Sequence, residues 1–326
     1  MPRLRLQVKW SILLHMKRLQ LSGFSGLLAL LQRPPHSRYA LRGLFVFVVL
    51  SVAQPAAGNL AVPEGIKFEQ GIEFSNVDSQ HLQLNLAVPL GAGPFPAVVC
   101  IHGGGFYTGK RDAYNELCFE LAKRGYVALT VTYRLAPEFP FPAAVQDCKT
   151  AVRWLRAHAA QYNVDPERIG ITGSSAGGHL AQFLGVTAEV RKFEGEGYLE
   201  HSSAVACVVN LFGPSDFTRS QDKSVDAAEV LPMFFKGILG PKRREYIIGS
   251  PLYWVTPNAA PTLCIHGTAD KHVPLEQTEW LVDRLKASAV EAELLKLEGA
   301  GHGFHGGDLE TAKAALFKFF ELHLHP

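Results

Sequence analysis

The chain has 326 residues, 47% of them hydrophobic and 19% charged, which suits one globular domain with a large core plus an N-terminal extension. Its net charge of +2 is unevenly divided: eight Lys and Arg but no Asp or Glu precede Pro63, which leaves 24 basic against 30 acidic side chains beyond it. That balance excludes a basic nucleic-acid patch on the body, and five cysteines, an odd number, exclude a disulfide framework.

The extension is organised differently from the rest. Arg38 and Arg42 precede a short apolar run over residues 44–52, and Ser51-Val52-Ala53 offers small residues for cleavage. This pattern reads as a secretory signal peptide and points to a secreted or periplasmic protein. The run is too short to span a bilayer comfortably, so no stable membrane span is expected. The tract before Arg38 is long for such a signal, which puts the expected start of synthesis near Tyr39. The extension is assigned to residues 1–58 and the body to residues 59–326.

Residues 66–74 and 81–88 alternate, or nearly alternate, apolar and polar side chains, the pattern of a hairpin. Residues 97–101 are a continuous apolar strand, followed by His102-Gly103-Gly104-Gly105. Residues 126–133 form another strand and 143–162 a helix. Residues 169–172 read as a short buried strand, and 176–186 as a helix rich in small residues. Between those two lies Gly173-Ser174-Ser175-Ala176-Gly177. Strands at 204–212, 261–265 and 291–297 and helices at 276–288 and 309–323 complete the set, with insertions at 189–203 and 218–256. Near-continuous apolar strands alternating with helices predict an α/β fold, a mostly parallel central sheet covered by helices on both faces, with an antiparallel start. Cys100, Cys207 and Cys264 fall in predicted buried strands, Cys118 and Cys148 on predicted helices. No essential disulfide is expected, though one pair after export is left open. No spacing suits a metal.

The chemistry is carried by four loops. A strand turning straight into a helix needs a strained corner, and the glycines around Ser175 permit one that exposes its hydroxyl. A serine hydroxyl is a poor nucleophile near neutral pH and needs a base and an orienting acid. Asp270 and His302 each follow the end of a predicted strand, the edge of an open α/β sheet where ligands bind. The chain order Ser, Asp, His completes the pattern. Acyl transfer also needs fixed N–H groups for the developing oxyanion, and losing one costs about 10²–10³ in turnover. Gly104 and Gly105, with the amide of Ala176, are the candidate donors. Asp216, which also follows a strand, is the rival acid. His102 and His266 read as structural, and His201, His272, His323 and His325 as surface histidines. Asp283 and Asp308 read as solvated. Phe217, Phe234, Phe235, Tyr253 and Trp254 in the second insertion are candidates to line a cleft, though core packing is the expectation for any single one.

The chain resembles α/β-hydrolase esterases of the hormone-sensitive-lipase-like and bacterial carbohydrate-esterase-like group, from about Pro63 to the C-terminus. The resemblance rests on His102-Gly-Gly-Gly-Phe106, Tyr133-Arg-Leu-Ala-Pro-Glu138, Asp165-Pro-Glu-Arg168, Ser174-Ser-Ala-Gly-Gly178, His266-Gly-Thr-Ala-Asp270 and Gly301-His-Gly-Phe304. It implies nucleophile Ser175, acid Asp270 and base His302. Ser174 stands where lipases of the hormone-sensitive type usually carry Asp, and the sequence ahead of the glycine loop leaves no room for a large cap domain. A capless body is closer to esterases that remove acetyl or feruloyl groups from plant polysaccharides.

The expected activity is serine carboxylic-ester hydrolysis through an acyl-enzyme, on small or carbohydrate-linked esters, with no cofactor. Two alternatives stay open: a serine exopeptidase or amidase of the prolyl-peptidase type, and a catalytically inactive hydrolase fold that acts as a binding module.

Overall fold

The structure, a computed structural model, describes residues 61–325. The chain opens with a hairpin, β1 (Ile66–Val77) and β2 (Gln80–Pro89). The two residues between them, Asp78 and Ser79, have φ of 51° and 60°. Two successive left-handed residues match the right-handed twist of the flanking strands, so the turn closes tightly. Then come β3 (Phe95–Ile101), α1 (Asn115–Ala122), β4 (Val127–Val131), α2 (Ala143–Ala157), β5 (Val164–Ser174) and α3 (Ala176–Val186). The second half holds β6 (Cys207–Leu211), α4 (Ala227–Phe235), α5 (Arg243–Ile248), β7 (Thr262–Gly267), α6 (Glu276–Ala287), β8 (Ala292–Leu297) and α7 (Gly306–Leu324).

All eight strands join one sheet in the order β1-β2-β4-β3-β5-β6-β7-β8. β1, β2 and β4 pair antiparallel, and every pairing from β4 onward is parallel. Why the central strands read as unbroken apolar runs is visible at β3. Val99 and Ile101 pack with Val145 and Val152 of α2 and Leu180 of α3 on one face. Val98 and Cys100, pointing the other way, pack with Phe119 of α1 and Leu316 and Phe320 of α7. Both faces are dry, so alternation has nothing polar to show. Each such fully buried side chain contributes about 1.5–3 kcal/mol.

Register decides where the chemistry can assemble. Ile101 pairs with Gly173, Ser174 with Leu211, Leu211 with Ile265, and Gly267 with Leu297. The parallel strands therefore end at one edge, and the loops after β3, β5, β7 and β8 leave the sheet side by side.

Two boundaries depart most from the sequence reading. α2 stops at Ala157, because residues 158–163 turn back on themselves and Asn163 adopts φ 57°. β5 starts at Val164, five residues earlier than expected, through a register shift opposite the stretch from Phe95 to Ala97. All five cysteines are free and buried, so no pair involving Cys118 or Cys148 forms. The predicted signal segment lies outside the described residues.

Candidate active site

β5 runs directly into α3 through Ser175, which sits at φ 54°, ψ −120°. A non-glycine residue there is strained, and the corner is held by bonds on either side. Ser175 N–H donates to Leu211 O at 2.9 Å, and His179 N–H donates to Ser175 O at 2.9 Å. The corner also presses the start of α3 onto β3. A Cβ on Gly177 would lie 2.1 Å from the Ile101 carbonyl oxygen, which is backbone and cannot step aside. Gly177→Ala is therefore expected to destabilise the protein by about 2 kcal/mol or more. Urea unfolding checks this, and a variant as stable as the parent would contradict the packing described.

The side chains of three loops meet at that corner. His302 Nε2 lies 2.8 Å from Ser175 Oγ, and His302 Nδ1 lies 2.7 Å from Asp270 Oδ2. The Asp270 side chain is buried. Its Oδ1 accepts the N–H groups of His272 and Val273 at 2.8 and 2.9 Å. His266 approaches Oδ2 at 3.3 Å, and its Nε2 also faces the Val273 carbonyl at 2.8 Å. Both neighbours are acceptors, so His266 Nε2 carries the proton. Burial alone would raise the Asp270 pKa. Hydrogen bonds from His266 and His302, the His302 charge and the Val273 amide overcome that, and hold the carboxyl well below the ordinary carboxylate range. Asp270 is thus an anion that fixes the His302 tautomer with Nδ1–H toward it and leaves Nε2 facing the serine.

Gly104 and Gly105 line the same cleft as Ser175 and Ala176. Gly104 has φ 114°, and a Cβ there would meet the Thr108 carbonyl oxygen at 2.2 Å, so only glycine lets this loop fold back. The amides of Gly104, Gly105 and Ala176 have no hydrogen-bond partner among the described residues. The Ala176 amide opens α3, where no intrahelical acceptor exists. All three are free to hold an oxyanion.

The rival acid is elsewhere. Asp216 accepts from Thr218 N and Oγ1 at 2.8 and 2.6 Å, Arg219 Nε at 2.7 Å and Tyr253 OH at 3.0 Å. It makes no bond to His302. His102, expected to be structural, bonds Gly103 O at 2.7 Å through Nδ1 and stacks on Tyr133, bracing the glycine loop.

The cleft has a volume of about 490 Å³. Of the aromatic candidates, Phe217 lines it, while Phe234 and Phe235 pack behind in a cluster with Phe106 and Phe141. Tyr253 holds Asp216, and the indole N–H of Trp254 bonds Ile248 O. Three features were invisible in the sequence. Phe212, at φ 44°, sets its ring edge-on to His302 with centroids 4.8 Å apart. His272, read as a surface residue, lies on the cleft wall 4.9 Å from the His302 ring and bonds Asp226 at 2.8 Å. His179 is fully buried beside the corner, and burial, only partly offset by the Pro214 carbonyl, pushes its pKa down to about 3. The second insertion is also stitched to the Asp270 loop. Val225 N–H donates to Lys271 O at 2.9 Å, and Ser224 Oγ donates to His272 O at 2.7 Å. Among the described residues, no cluster of His, Cys, Asp and Glu is placed to hold a metal, and no helix is long and apolar enough to cross a membrane.

The sheet order, the strained Ser175 corner and three loops converging at the ends of parallel strands define an α/β hydrolase. Comparison with known proteins is more specific. The BD-FAE family model matches residues 84–285, well over half of the chain, and the chain belongs to that family. It is 34% identical over 219 residues to esterase LipC of Mycobacterium tuberculosis, a match covering 65% of this chain and 53% of that protein. The chain spans about half the length of three curated mycobacterial relatives, 53%, 48% and 50%. Among solved structures it is similar to a truncated carbohydrate esterase from gut microbiota, with TM-score 0.71, 27% identity, and 80% of this chain and 97% of that one covered. It is also similar to Thermogutta terrifontis esterase 2 phosphonylated by sarin, with TM-score 0.69, 27% identity, and 82% and 98% covered.

Proposed function

We propose that the protein hydrolyses carboxylic esters through an acyl-enzyme on Ser175, acting on small or carbohydrate-linked esters. The observation that carries this is the continuous chain from Asp270 through His302 to Ser175 Oγ, at 2.7 and 2.8 Å, opening onto the cleft. His302 Nε2 takes the hydroxyl proton as Oγ attacks the ester carbonyl. The Gly104, Gly105 and Ala176 amides receive the oxyanion, and Asp270 stabilises the imidazolium. The tetrahedral intermediate collapses, and His302 hands its proton to the departing alcohol. A water molecule, deprotonated by the same imidazole, then attacks the acyl-enzyme and frees the acid. The similarity to esterases, one of them a carbohydrate esterase, supports this reading.

The test is a substrate panel on the purified chain: nitrophenyl acetate, butyrate and octanoate, acetylated xylan, methyl ferulate and an aminoacyl-proline amide. The acetyl or feruloyl esters are expected to turn over at least about tenfold faster than the amide. A faster amide would favour the exopeptidase reading, and no turnover of any member would favour a binding module.

A further inference from the structure

The cleft has a mixed lining. Phe212, Phe217, Val230 and Leu231 supply its apolar lining, while Arg219, Ser220, Gln221, Ser224, Asp226 and His272 supply polar groups. Most hydrogen-bonding capacity of these polar lining groups is spent internally. Ser220 Oγ donates to Glu276, Ser224 Oγ to His272 O, and Asp226 pairs with His272. Arg219 differs. Its Nε donates to Asp216 Oδ2 at 2.7 Å, and its guanidinium carbon lies 4.0 Å from the centre of the Trp280 ring. Nη1 and Nη2 have no partner among the described residues, and 49% of the side chain is accessible. A planar fork is thus pinned on one edge by a buried carboxylate and on one face by an indole, with its other edge unused.

We propose that Arg219 reads the alcohol half of the ester, its free Nη pair donating to hydroxyl oxygens of a neutral sugar. This rests on the ester-hydrolase reading above. The apolar lining side chains suit the acyl group, which leaves Arg219, lining the same cleft, for the alcohol. Asp216 already balances the guanidinium charge, and Asp226 lines the same cleft, so a substrate carboxylate gains little there. Neutral hydroxyls gain charge-assisted hydrogen bonds without meeting that repulsion. The fork is fixed in advance, so little side-chain freedom is lost on binding.

The experiment compares the parent, Arg219→Ala and Arg219→Lys on acetylated xylo-oligosaccharide, an acetylated uronate and nitrophenyl acetate. For Arg219→Ala, kcat/KM on the neutral sugar ester is expected to fall about ten- to a hundredfold, chiefly through KM. Nitrophenyl acetate, which carries no hydroxyl, is expected to fall by a clearly smaller factor. Lysine restores only part, since it keeps the charge and loses the fork. Equal losses on the sugar ester and nitrophenyl acetate, or a larger loss on the uronate than on the neutral sugar, overturn the proposal. Should the alanine variant not fold, the lysine variant carries the same comparison, with labelling by a small fluorophosphonate reporting an intact centre. A parent that neither hydrolyses nitrophenyl acetate nor takes the label refutes the hydrolase reading itself, a result distinct from equal losses in an active enzyme.

Discussion

Ser175→Ala is expected to reduce ester turnover by about 10⁴–10⁶-fold while leaving the fold in place. Alanine keeps the Cβ and bears the same strain at φ 54° that serine bears, and the hydrogen bonds holding the corner are backbone bonds. Only Oγ is lost, and with it the partner of His302 Nε2. Residual activity comes from the oxyanion donors and the cleft alone. The check is kcat on nitrophenyl acetate together with the thermal midpoint. A variant keeping a tenth of parental turnover would mean that Ser175 is not the nucleophile. Ser174, its neighbour, offers the informative control: its variants keep most activity if the assignment is right.

Asp270→Asn is expected to lower kcat by about 10⁴-fold. The carboxylate accepts from His302 Nδ1, approaches His266 Nε2 and accepts two backbone amides, so both oxygens work as acceptors. An asparagine must turn its NH₂ toward one of these donors. If it faces His302, it selects the tautomer with Nε2–H, which cannot take a proton from serine. The substitution also has a pH signature. The Asp270 pKa is depressed in the folded state, so the ionised group stabilises the protein above the ordinary carboxylate range, near 3.9, and that contribution is lost as pH falls below it. The stability gap between parent and variant should therefore narrow in acid. A gap that widens as pH falls, measured by urea unfolding at pH 7 and at about pH 2.5, below the ordinary carboxylate range, contradicts the charged state assigned to Asp270.

Most of the catalytic edge was legible because buried parallel strands leave a plain signal. The end of β5 and all of β7 read as near-continuous apolar runs ahead of Ser175 and Asp270, and β8, ahead of His302, is legible as a strand despite Glu293 and Lys296. Local sequence could also place the hairpin, whose two-residue turn needs only Asp78 and Ser79. It set Asp270 ahead of Asp216, since the next strand leads from Asp270 to His302, but both follow strands and it could not say where Asp216 goes. Only the fold shows that Asp216 is saturated by Thr218, Arg219 and Tyr253, the last of these 37 residues away. His272 is exposed, as its sequence suggested, but its place on the cleft was silent for the same reason. Its partner Asp226 lies 46 residues back, in an insertion whose path over the cleft no periodicity encodes. Arg219 was silent too, because an arginine in a polar loop reads as solvated until Trp280 and Asp216 are brought to it. Helix and strand ends were displaced where turns, not apolar pattern, decide, as at residues 158–163.

Ester hydrolysis by this site requires that one hydroxyl, that of Ser175, become acylated. Intact protein treated with a fluorophosphonate, digested and sequenced by mass spectrometry, should carry a single adduct on Ser175, absent from the Ser175→Ala variant. An adduct on Ser174, or an active enzyme that takes no label at all, would contradict it.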